Sequence, residues 1–431
     1  MNDHDPLAGL DEIDWAALAH AYGPAEDVPA QVRELTSADP AERATALHHL
    51  YGNIFHQGSR YEAAAHAVPF LLALAAHPPT PDRDEVVHLL AALAIGLDES
   101  HLPAGVDAAG WRAQVAAVLA VDEAERLREL DAWVAEARGE SERRVREMRR
   151  DAYDHARSRR FARAELDAYD AVRAGTPVFR ALLADPDPAV RAAAAYTLGW
   201  FPENAAECAP ALRALLGAED DASVTANAIV SLGLLGDTGS VPRLRRYLDA
   251  APGSDTAPGS DTASGSDAAR DGGSGLVRWA AAVALARLGA TEAGVIAELA
   301  AASAEPPAVP EDGPPVAFMD GDLRAYSSAC LAELDGEIPR EAVDAVLDGL
   351  SRTSEIASFG MAAAALRLTF GPPPPEPPGP YETLPEDAQR AVRVLAGMSE
   401  PTWQWVNFTE ILTAWSLPSE RDALRGYAGL R

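Results

Sequence analysis

The sequence predicts an all-α protein, an α–α superhelical solenoid in which pairs of helices stack one after another. Three observations predict this class: an alanine-rich composition with only 6% aromatic residues, apolar residues at helical spacing, and recurrence of that pattern at a near-constant interval. Alanine favours closely packed helices over strands. Because a single helix pair cannot bury its own apolar face, the recurrence indicates that neighbouring pairs stack.

A leucine marks the same register in four predicted helices. Each leucine lies eight residues after the valine or leucine that begins its pattern, and apolar residues at offsets 0, 4, 8 and 11 share one face of a helix. The residue just before each leucine is small, which would let another helix approach closely. The four leucines are Leu198, Leu232, Leu285 and Leu331.

The second helix of each pair begins near a proline, a residue that suits the first turn because no amide partner is lost there. Pro177, Pro210 and Pro242 recur at intervals of 33 and 32 residues. The segment Val190–Gly199 reads VRAAAAYTLG, and Val277–Gly289 reads VRWAAAVALARLG. Both resemble HEAT repeats, specifically the lyase-type HEAT-like repeats of bacterial proteins. The resemblance implies a HEAT-like solenoid whose second helices line a concave groove.

The chain is expected to divide into four parts. The first helix pair is expected at 11–37, and residues 251–275, which have no apolar anchor, predict a disordered loop. The four parts are N-terminal HEAT-like repeats at 1–120, an inserted Arg-rich helical hairpin at 121–175, central HEAT-like repeats at 176–352, and a degenerate repeat with a cap at 353–431.

The inserted hairpin concentrates positive charge in an acidic chain. The formal net charge is −30, and all 36 basic residues are arginine. Between residues 138 and 163 there are ten arginines and five acidic residues, all placed on the second helix of the predicted hairpin. The overall negative charge would repel nucleic acid from most of the surface, whereas this segment would attract it.

The histidine-rich segment Tyr51–Ala63, YGNIFHQGSRYEA, resembles a recurrent motif of bacterial HEAT-repeat proteins whose activity is not settled. Gly58 is expected to end one helix, and Ser59 with Glu62 to form a capping box for the next. Polar and aromatic residues beyond those a cap needs suggest a ligand or partner site. These residues are His56, Gln57, Arg60 and Tyr61.

A zinc site is a more specific form of the hypothesis that this segment binds a ligand. His48, His49, His56, Glu62 and His66 are all residue types that bind zinc. However, no H-E-x-x-H pattern occurs, and adjacent histidines on a helix project in diverging directions. We therefore expect no metal and no cofactor.

Further partner-binding residues are expected on the second helices and at one turn between helices. Arginine and aromatic residues are enriched at the energetic centres of protein interfaces. For the Trp-Phe pair of the WFPEN turn, core packing and partner binding are both open, whereas Asn227 is expected to form an intramolecular hydrogen bond. The candidates are Phe70, Phe179, Arg180, Arg213, Arg243, Arg246 and Tyr247 on the helices, and Trp200, Glu203 and Asn204 at the turn.

The sequence carries no recognisable catalytic signature. The absence of lysine excludes Schiff-base and P-loop lysine chemistry, and no G-x-S-x-G, G-x-G-x-x-G or C-x-x-C pattern occurs. No catalytic residue is therefore assigned. The leading hypothesis is a non-enzymatic scaffold that binds a protein or peptide partner, expected to be acidic, in its groove.

Other hypotheses stay open at this point. The Arg-rich hairpin could bind nucleic acid, as in DNA-repair proteins with HEAT-like repeats, although the overall charge opposes phosphate binding. An immunity-type inhibitor of a toxin would be a special case of a protein-binding scaffold, and the resemblance also includes bilin lyases. Because the sequence has no signal-like stretch and no apolar run near the roughly 20 residues of a membrane span, we expect a cytoplasmic protein that does not bind membranes.

Overall fold

The computed structural model describes residues 5–137, 139–250, 267–374 and 377–430. The chain forms two compact units. The first consists of Met1–Leu97 and Val106–Phe179, and the second of Asp98–Gly105 and Arg180–Arg431. Helices dominate the described part of both units, and its strands are two pairs of two residues each. The all-α prediction is confirmed, while the four-part division of the chain stays a prediction.

The helices of the first unit pack around α3, which carries the apolar run AVPFLLALAA. Helix α3 contacts α1, α4 and α8, and α8 also packs against α4 and α5. The helices are α1 (Val28–Glu34), α2 (Pro40–Asn53), α3 (Glu62–Ala76), α4 (Arg83–Ile95), α5 (Ala108–Ala120), α6 (Glu123–Ala135), α7 (Glu140–Asp151) and α8 (His155–Ala174), with α9 (Thr176–Leu182) next in the chain.

Two short β-hairpins accompany these helices, one before α1 and one between α2 and α3. Strands β1 (Ala19–His20) and β2 (Gly23–Pro24) form the first hairpin, and β3 (Phe55–His56) and β4 (Ser59–Arg60) form the second. The turn of the second hairpin is Gln57-Gly58, with φ of 50° and 85°. Two consecutive positive φ values are typical of the tight turns that connect antiparallel strands, and glycine adopts them without strain.

The capping box expected at Ser59 and Glu62 is therefore wrong. Ser59 lies in β4, and the residue that caps α3 is Tyr61, whose side chain makes no capping hydrogen bond. The helix pair expected at 11–37 is also wrong. That stretch holds two 3-10 turns, the first hairpin and a single α-helix, α1, because its apolar residues do not keep a helical period.

The inserted segment departs from the expected hairpin in one respect. Helices α6 and α7 pack against each other as predicted, but the Arg-rich helix is broken at residues 152–154. Asp154 starts α8 by accepting a hydrogen bond from the Arg157 amide at 2.8 Å. Helix α8 then belongs to the core of the first unit, where Ala168, Tyr169 and Val172 are fully buried. Arg138 lies outside the described residues.

The second unit repeats one arrangement of helix pairs. Helices α10, α12 and α14 pack side by side, as do α15 with α17 and α16 with α18. The helices are α10 (Pro188–Leu198), α11 (Ala205–Leu215), α12 (Ala222–Leu234), α13 (Val241–Asp249), α14 (Asp267–Arg287), α15 (Ala293–Ala304), α16 (Leu323–Glu333), α17 (Arg340–Ser351), α18 (Phe359–Phe370), α19 (Glu386–Ala396), α20 (Glu400–Trp403), α21 (Val406–Ala414) and α22 (Arg421–Tyr427).

The predicted leucine register is confirmed. Leu198, Leu232, Leu285 and Leu331 are each at most 1% exposed. The small residues beside them permit close helix contact: the hydroxyl of Ser231 on α12 donates to the Ala195 carbonyl of α10 at 2.7 Å. The loop expected at 251–275 is partly wrong, because α14 already begins at Asp267; residues 251–266 lie outside the described residues.

Aspartate begins seven of the described helices. In each case the side-chain carboxylate accepts a hydrogen bond from an amide of the first turn, which otherwise has no partner. A part of the acidity of the chain is thus used to start helices. The residues are Asp39, Asp107, Asp122, Asp154, Asp187, Asp221 and Asp322.

Candidate functional site

The candidate site is an open cavity of about 360 Å³ in the first unit. It lies between the first β-hairpin, the start of α3 and the first turns of α8. We call it the hairpin cavity. A cavity of this volume can hold a small molecule or a few side chains of a partner. It is lined by Ala19, His20, Ala21, Tyr61, Glu62, Asp154, Arg157, Arg160, Phe161 and Ala164.

Two arginines of α8 provide the positive charge of the hairpin cavity. Arg157 and Arg160 are both exposed, and neither forms an ion pair with a residue in the described part of the chain. The guanidinium of Arg157 lies over the ring of Phe161, with 5.3 Å between Cζ and the ring centroid. This contact holds the side chain by a cation–π attraction and leaves its N–H groups free to bind an anion.

The two carboxylates of the hairpin cavity already have structural roles. Asp154 caps α8 through the Arg157 amide. Glu62 is the first residue of α3, where a negative charge is stabilised by the helix dipole. The donors available for a ligand are therefore mainly the guanidinium groups, while the two carboxylates keep their negative charge in the same lining.

Two aromatic rings form the apolar wall of the hairpin cavity. The rings of Tyr61 and Phe161 meet edge to face, with centroids 5.3 Å apart and an interplanar angle of 66°. Burial raises the pKa of the Tyr61 hydroxyl, and the nearby Arg157 opposes that shift. The hydroxyl consequently stays protonated near neutral pH and can donate a hydrogen bond.

A polar network fixes the first hairpin beside the hairpin cavity. Asp27 accepts from Nε2 of His20 at 3.0 Å and from Nε2 of Gln31 at 2.8 Å. The buried Asn53 donates to Oε1 of Gln31 at 2.8 Å. On the other side of the imidazole, Nδ1 of His20 accepts from the amide of Tyr22 at 3.0 Å, so its proton is on Nε2.

Arg60 ties the second hairpin to the helices behind the hairpin cavity. Its side chain is 7% exposed, its Nη1 donates to the carbonyl of Gly58, and the same atom lies 3.5 Å from Oε1 of Glu165 on α8. Its Cζ is 5.6 Å from the ring centroid of Trp111 on α5. Burial lowers the pKa of Arg60, and the attraction of Glu165 opposes that shift.

The structure brings together the candidates of the YGNIFHQGSRYEA segment, but in different roles. Tyr61 lines the hairpin cavity. His56 stands beside it, its ring 5.5 Å from that of Tyr22, and Gln57 is exposed in the turn. Arg60 is enclosed, so it positions the hairpin instead of contacting a partner.

Three predicted contact residues are core residues. Phe70 is 8% exposed, and Phe179 and Trp200 are fully buried. The ring of Trp200 packs 5.5 Å from that of Tyr196 and 5.7 Å from that of Phe318. A partner cannot reach these side chains, so we correct their assignment from partner binding to packing. In the same WFPEN turn, Glu203 is exposed and Asn204 is half-buried.

The arginines expected along the second helices mostly connect neighbouring elements. Arg180 donates to Glu207 at 3.2 Å and Arg213 to Asp237 at 2.5 Å. Arg243 donates to the carbonyl of Arg213 at 3.2 Å. Arg246 is exposed and Tyr247 is half-buried, so these two keep surface available for a partner.

Sequence reasoning missed five residues of this region: His20, Tyr22, Arg157, Arg160 and Phe161. Arg157 and Arg160 were counted as part of a general basic surface. The signal that could have placed them is the Y-D-H-A-R segment at Tyr153–Arg157, where an aspartate N-cap starts a new helix. The expectation for Asn227 is confirmed: it donates to the Ser223 and Pro315 carbonyls and accepts from the Ala317 amide at 3.1 Å.

Among the residues that the structure describes, no group of three or more His, Cys, Asp or Glu side chains is placed to hold a metal ion. None of the helices in the described ranges combines the length and the apolarity that a membrane crossing requires.

Comparison with known proteins identifies the repeat. A family model described as HEAT repeats matches residues 156–233 and 176–257. A search of curated proteins found no match. The complex of CpcE and CpcF of phycocyanin lyase from Nostoc sp. aligns with a TM-score of 0.43 and 15% identity, over 88% of this chain and 97% of that one. An engineered protein aligns with a TM-score of 0.24 and 18% identity, over 94% and 97%. The family match shows HEAT repeats in residues 156–257, and the stacked helix pairs of the second unit agree with that repeat.

Proposed function

We propose that this HEAT-repeat protein is a non-catalytic binding module for another protein, and that it holds an acidic segment of that partner in the hairpin cavity. The observation that carries the proposal is the pair Arg157 and Arg160, which line a 360 Å³ cavity without an ion-pair partner among the described residues. In a chain of net charge −30, guanidinium groups without an internal partner are the natural contact for an acidic ligand.

The contacts of the other arginines in the insertion favour a protein over a nucleic acid. Arg146 pairs with Glu142 at 2.5 Å, and Arg150 with Asp131 at 2.8 Å. Arg159 donates to the carbonyl of Leu119. Binding to phosphates requires a broad basic face, and the two ion pairs offset part of the charge that such a face would need.

The test is affinity capture from a native lysate with three forms of the full chain. The double variant Arg157→Ala/Arg160→Ala removes the proposed contact. Arg163→Ala is the matched control, because Arg163 lies on the same helix, is exposed and pairs with Asp167 at 3.7 Å. The chain contains no lysine, so it is immobilised through a terminal tag.

A stoichiometric protein should be retained by the wild type and by Arg163→Ala and lost from the double variant. Its retention should also fall as salt rises, since exposed charges are screened. Equal recovery by all three forms, or salt-dependent recovery of nucleic acid in its place, would contradict the proposal.

A further inference from the structure

The further inference names the ligand group that the hairpin cavity takes, and it rests on the proposed function. We infer that the cavity recognises a singly charged carboxylate next to an aromatic side chain, as in a Glu-Phe or Asp-Phe pair of an extended peptide. The carboxylate binds Arg157 and Arg160, and the aromatic ring packs on Tyr61 and Phe161.

The geometry of the charges selects a carboxylate. Two guanidinium groups one helical turn apart, at positions i and i+3, project from the same side of α8. A carboxylate has two oxygens and can accept from both groups. The protonated hydroxyl of Tyr61 supplies a third donor at the same wall.

The carboxylates of the hairpin cavity select against a doubly charged group. Glu62 and Asp154 line the same space as the two arginines. For a phosphate with nearly two negative charges, the attraction to the guanidinium groups and the repulsion from these two acids both grow in proportion to the charge, whereas the cost of removing the ion from water grows with the square of the charge. The lining therefore suits one negative charge better than two.

The apolar part of the hairpin cavity fits an aromatic neighbour. Ala19 and Ala21 of the first hairpin and Ala164 of α8 have small side chains, which leaves room beside the Tyr61 and Phe161 rings. Tyr22, 74% exposed at the tip of the first hairpin, extends this apolar surface outward. Exposed tyrosine at the edge of a site is typical of surfaces that bind a peptide.

The experiment measures fluorescence polarisation of four fluorescein-labelled peptides that share Gly-Ser spacers. The central pair is Glu-Phe, Gln-Phe, Glu-Ala or phosphoserine-Phe. Each peptide is titrated with the full chain, with Arg157→Ala/Arg160→Ala and with Arg163→Ala, up to about 1 mM protein, a concentration that detects contacts of roughly 4 kcal/mol.

The Glu-Phe peptide should bind the wild type and Arg163→Ala at least about tenfold more tightly than the Gln-Phe and Glu-Ala peptides do, a difference of about 1.4 kcal/mol. The double variant should no longer distinguish Glu-Phe from Gln-Phe. Equal binding of these two peptides by the wild type, tighter binding of phosphoserine-Phe, or no binding of Glu-Phe would each overturn the inference.

The capture experiment and the peptide titration together distinguish a failure of this inference from a failure of the proposed function. If the double variant loses a captured protein partner that the Glu-Phe peptide does not displace, the binding module stands and the assigned ligand group is wrong. If the double variant retains that partner, both are wrong.

Discussion

The guanidinium of Arg60 lies over the indole of Trp111, with 5.6 Å between Cζ and the ring centroid. Through this contact, and through Glu165, the second hairpin is joined to α5 and α8. Helix α8 carries Arg157 and Arg160, and the residue after Arg60 is Tyr61, which lines the hairpin cavity. Arg60 therefore connects the elements that supply these cavity residues.

Replacing Arg60 with alanine should destabilise the first unit by about 3 kcal/mol, because Glu165 loses its cation and the core loses a stacked side chain. Thermal unfolding monitored by calorimetry measures the change. Arg144→Ala, at an exposed residue that pairs with Glu140, is the control and should stay within about 0.5 kcal/mol of wild type. An equal effect of both substitutions would mean that the contacts of Arg60 do not stabilise the first unit.

Gly233 permits the close contact of α12 with α14. A Cβ atom at this position would lie 2.7 Å from Cα of Ala284. Because this distance is a steric clash with backbone, the two helices would have to move apart. Gly233→Ala should cost about 2 kcal/mol, since overpacking outweighs the gain of about 1 kcal/mol in helix propensity.

Gly426→Ala is the comparison variant, and we expect it to change the free energy of unfolding in the opposite direction. Gly426 also lies in a helix, α22, and a Cβ there would meet no atom within 4 Å. Its substitution should stabilise the protein slightly. Urea denaturation of both variants checks the pair, and a stabilising Gly233→Ala would show that the two helices are not in contact in solution.

Asn227 holds the segment before α16 through three hydrogen bonds, two to carbonyls and one from the amide of Ala317. Asn227→Ala removes the side-chain partners of the part-buried Pro315 carbonyl and Ala317 amide and should cost about 2 kcal/mol. Hydrogen exchange at the Ala317 amide should accelerate strongly. Asn407→Ala, at an exposed site, is the control. Unchanged protection of Ala317 in Asn227→Ala would contradict the role given to this side chain.

Asp98 makes the second unit sensitive to pH. Burial raises the pKa of its carboxyl group from 3.8 to about 6, against the hydrogen bonds that it accepts from the Met319 amide at 2.9 Å and the Tyr196 hydroxyl at 3.2 Å. A group whose pKa is raised on folding contributes stability below its unfolded pKa. That contribution is lost as the pH rises through about 6.

Asp98→Asn keeps an oxygen acceptor and removes the buried charge. At pH 8 the variant should be more stable than wild type by about 3 kcal/mol, since one pKa unit corresponds to about 1.4 kcal/mol. Near pH 4 the difference should vanish. Urea denaturation at intervals between these two values measures it, and a difference that does not change with pH would contradict the assignment.

The periodic parts of the fold were predictable, and the turns were not. The four register leucines and Asn227 occupy the expected positions, because packing between helices repeats the same geometry in each pair. The Gln57-Gly58 turn was mistaken for a helix boundary, since the glycine that ends a helix can also close a two-residue hairpin. Local residues alone do not distinguish the two.

The candidate site was predictable only in part, for a related reason. Tyr61 was found from its own segment, but Arg157, Arg160 and Phe161 come from a helix far away in the sequence. Their partner across the hairpin cavity is decided by how α8 packs on α3, which no short pattern reveals. For the same reason Phe70 and Phe179 are predicted as contact residues and Trp200 is left open between packing and binding, although tertiary packing encloses all three.

The aspartates that begin seven helices have a practical consequence. Asparagine caps a helix nearly as well as aspartate, and each such replacement removes one negative charge. The overall charge of the molecule and the integrity of its helix starts can therefore be varied independently. A set of Asp-to-Asn exchanges at these positions, leaving out Asp154 of the hairpin cavity, would reduce repulsion toward other acidic molecules while the scaffold that presents the cavity stays in place.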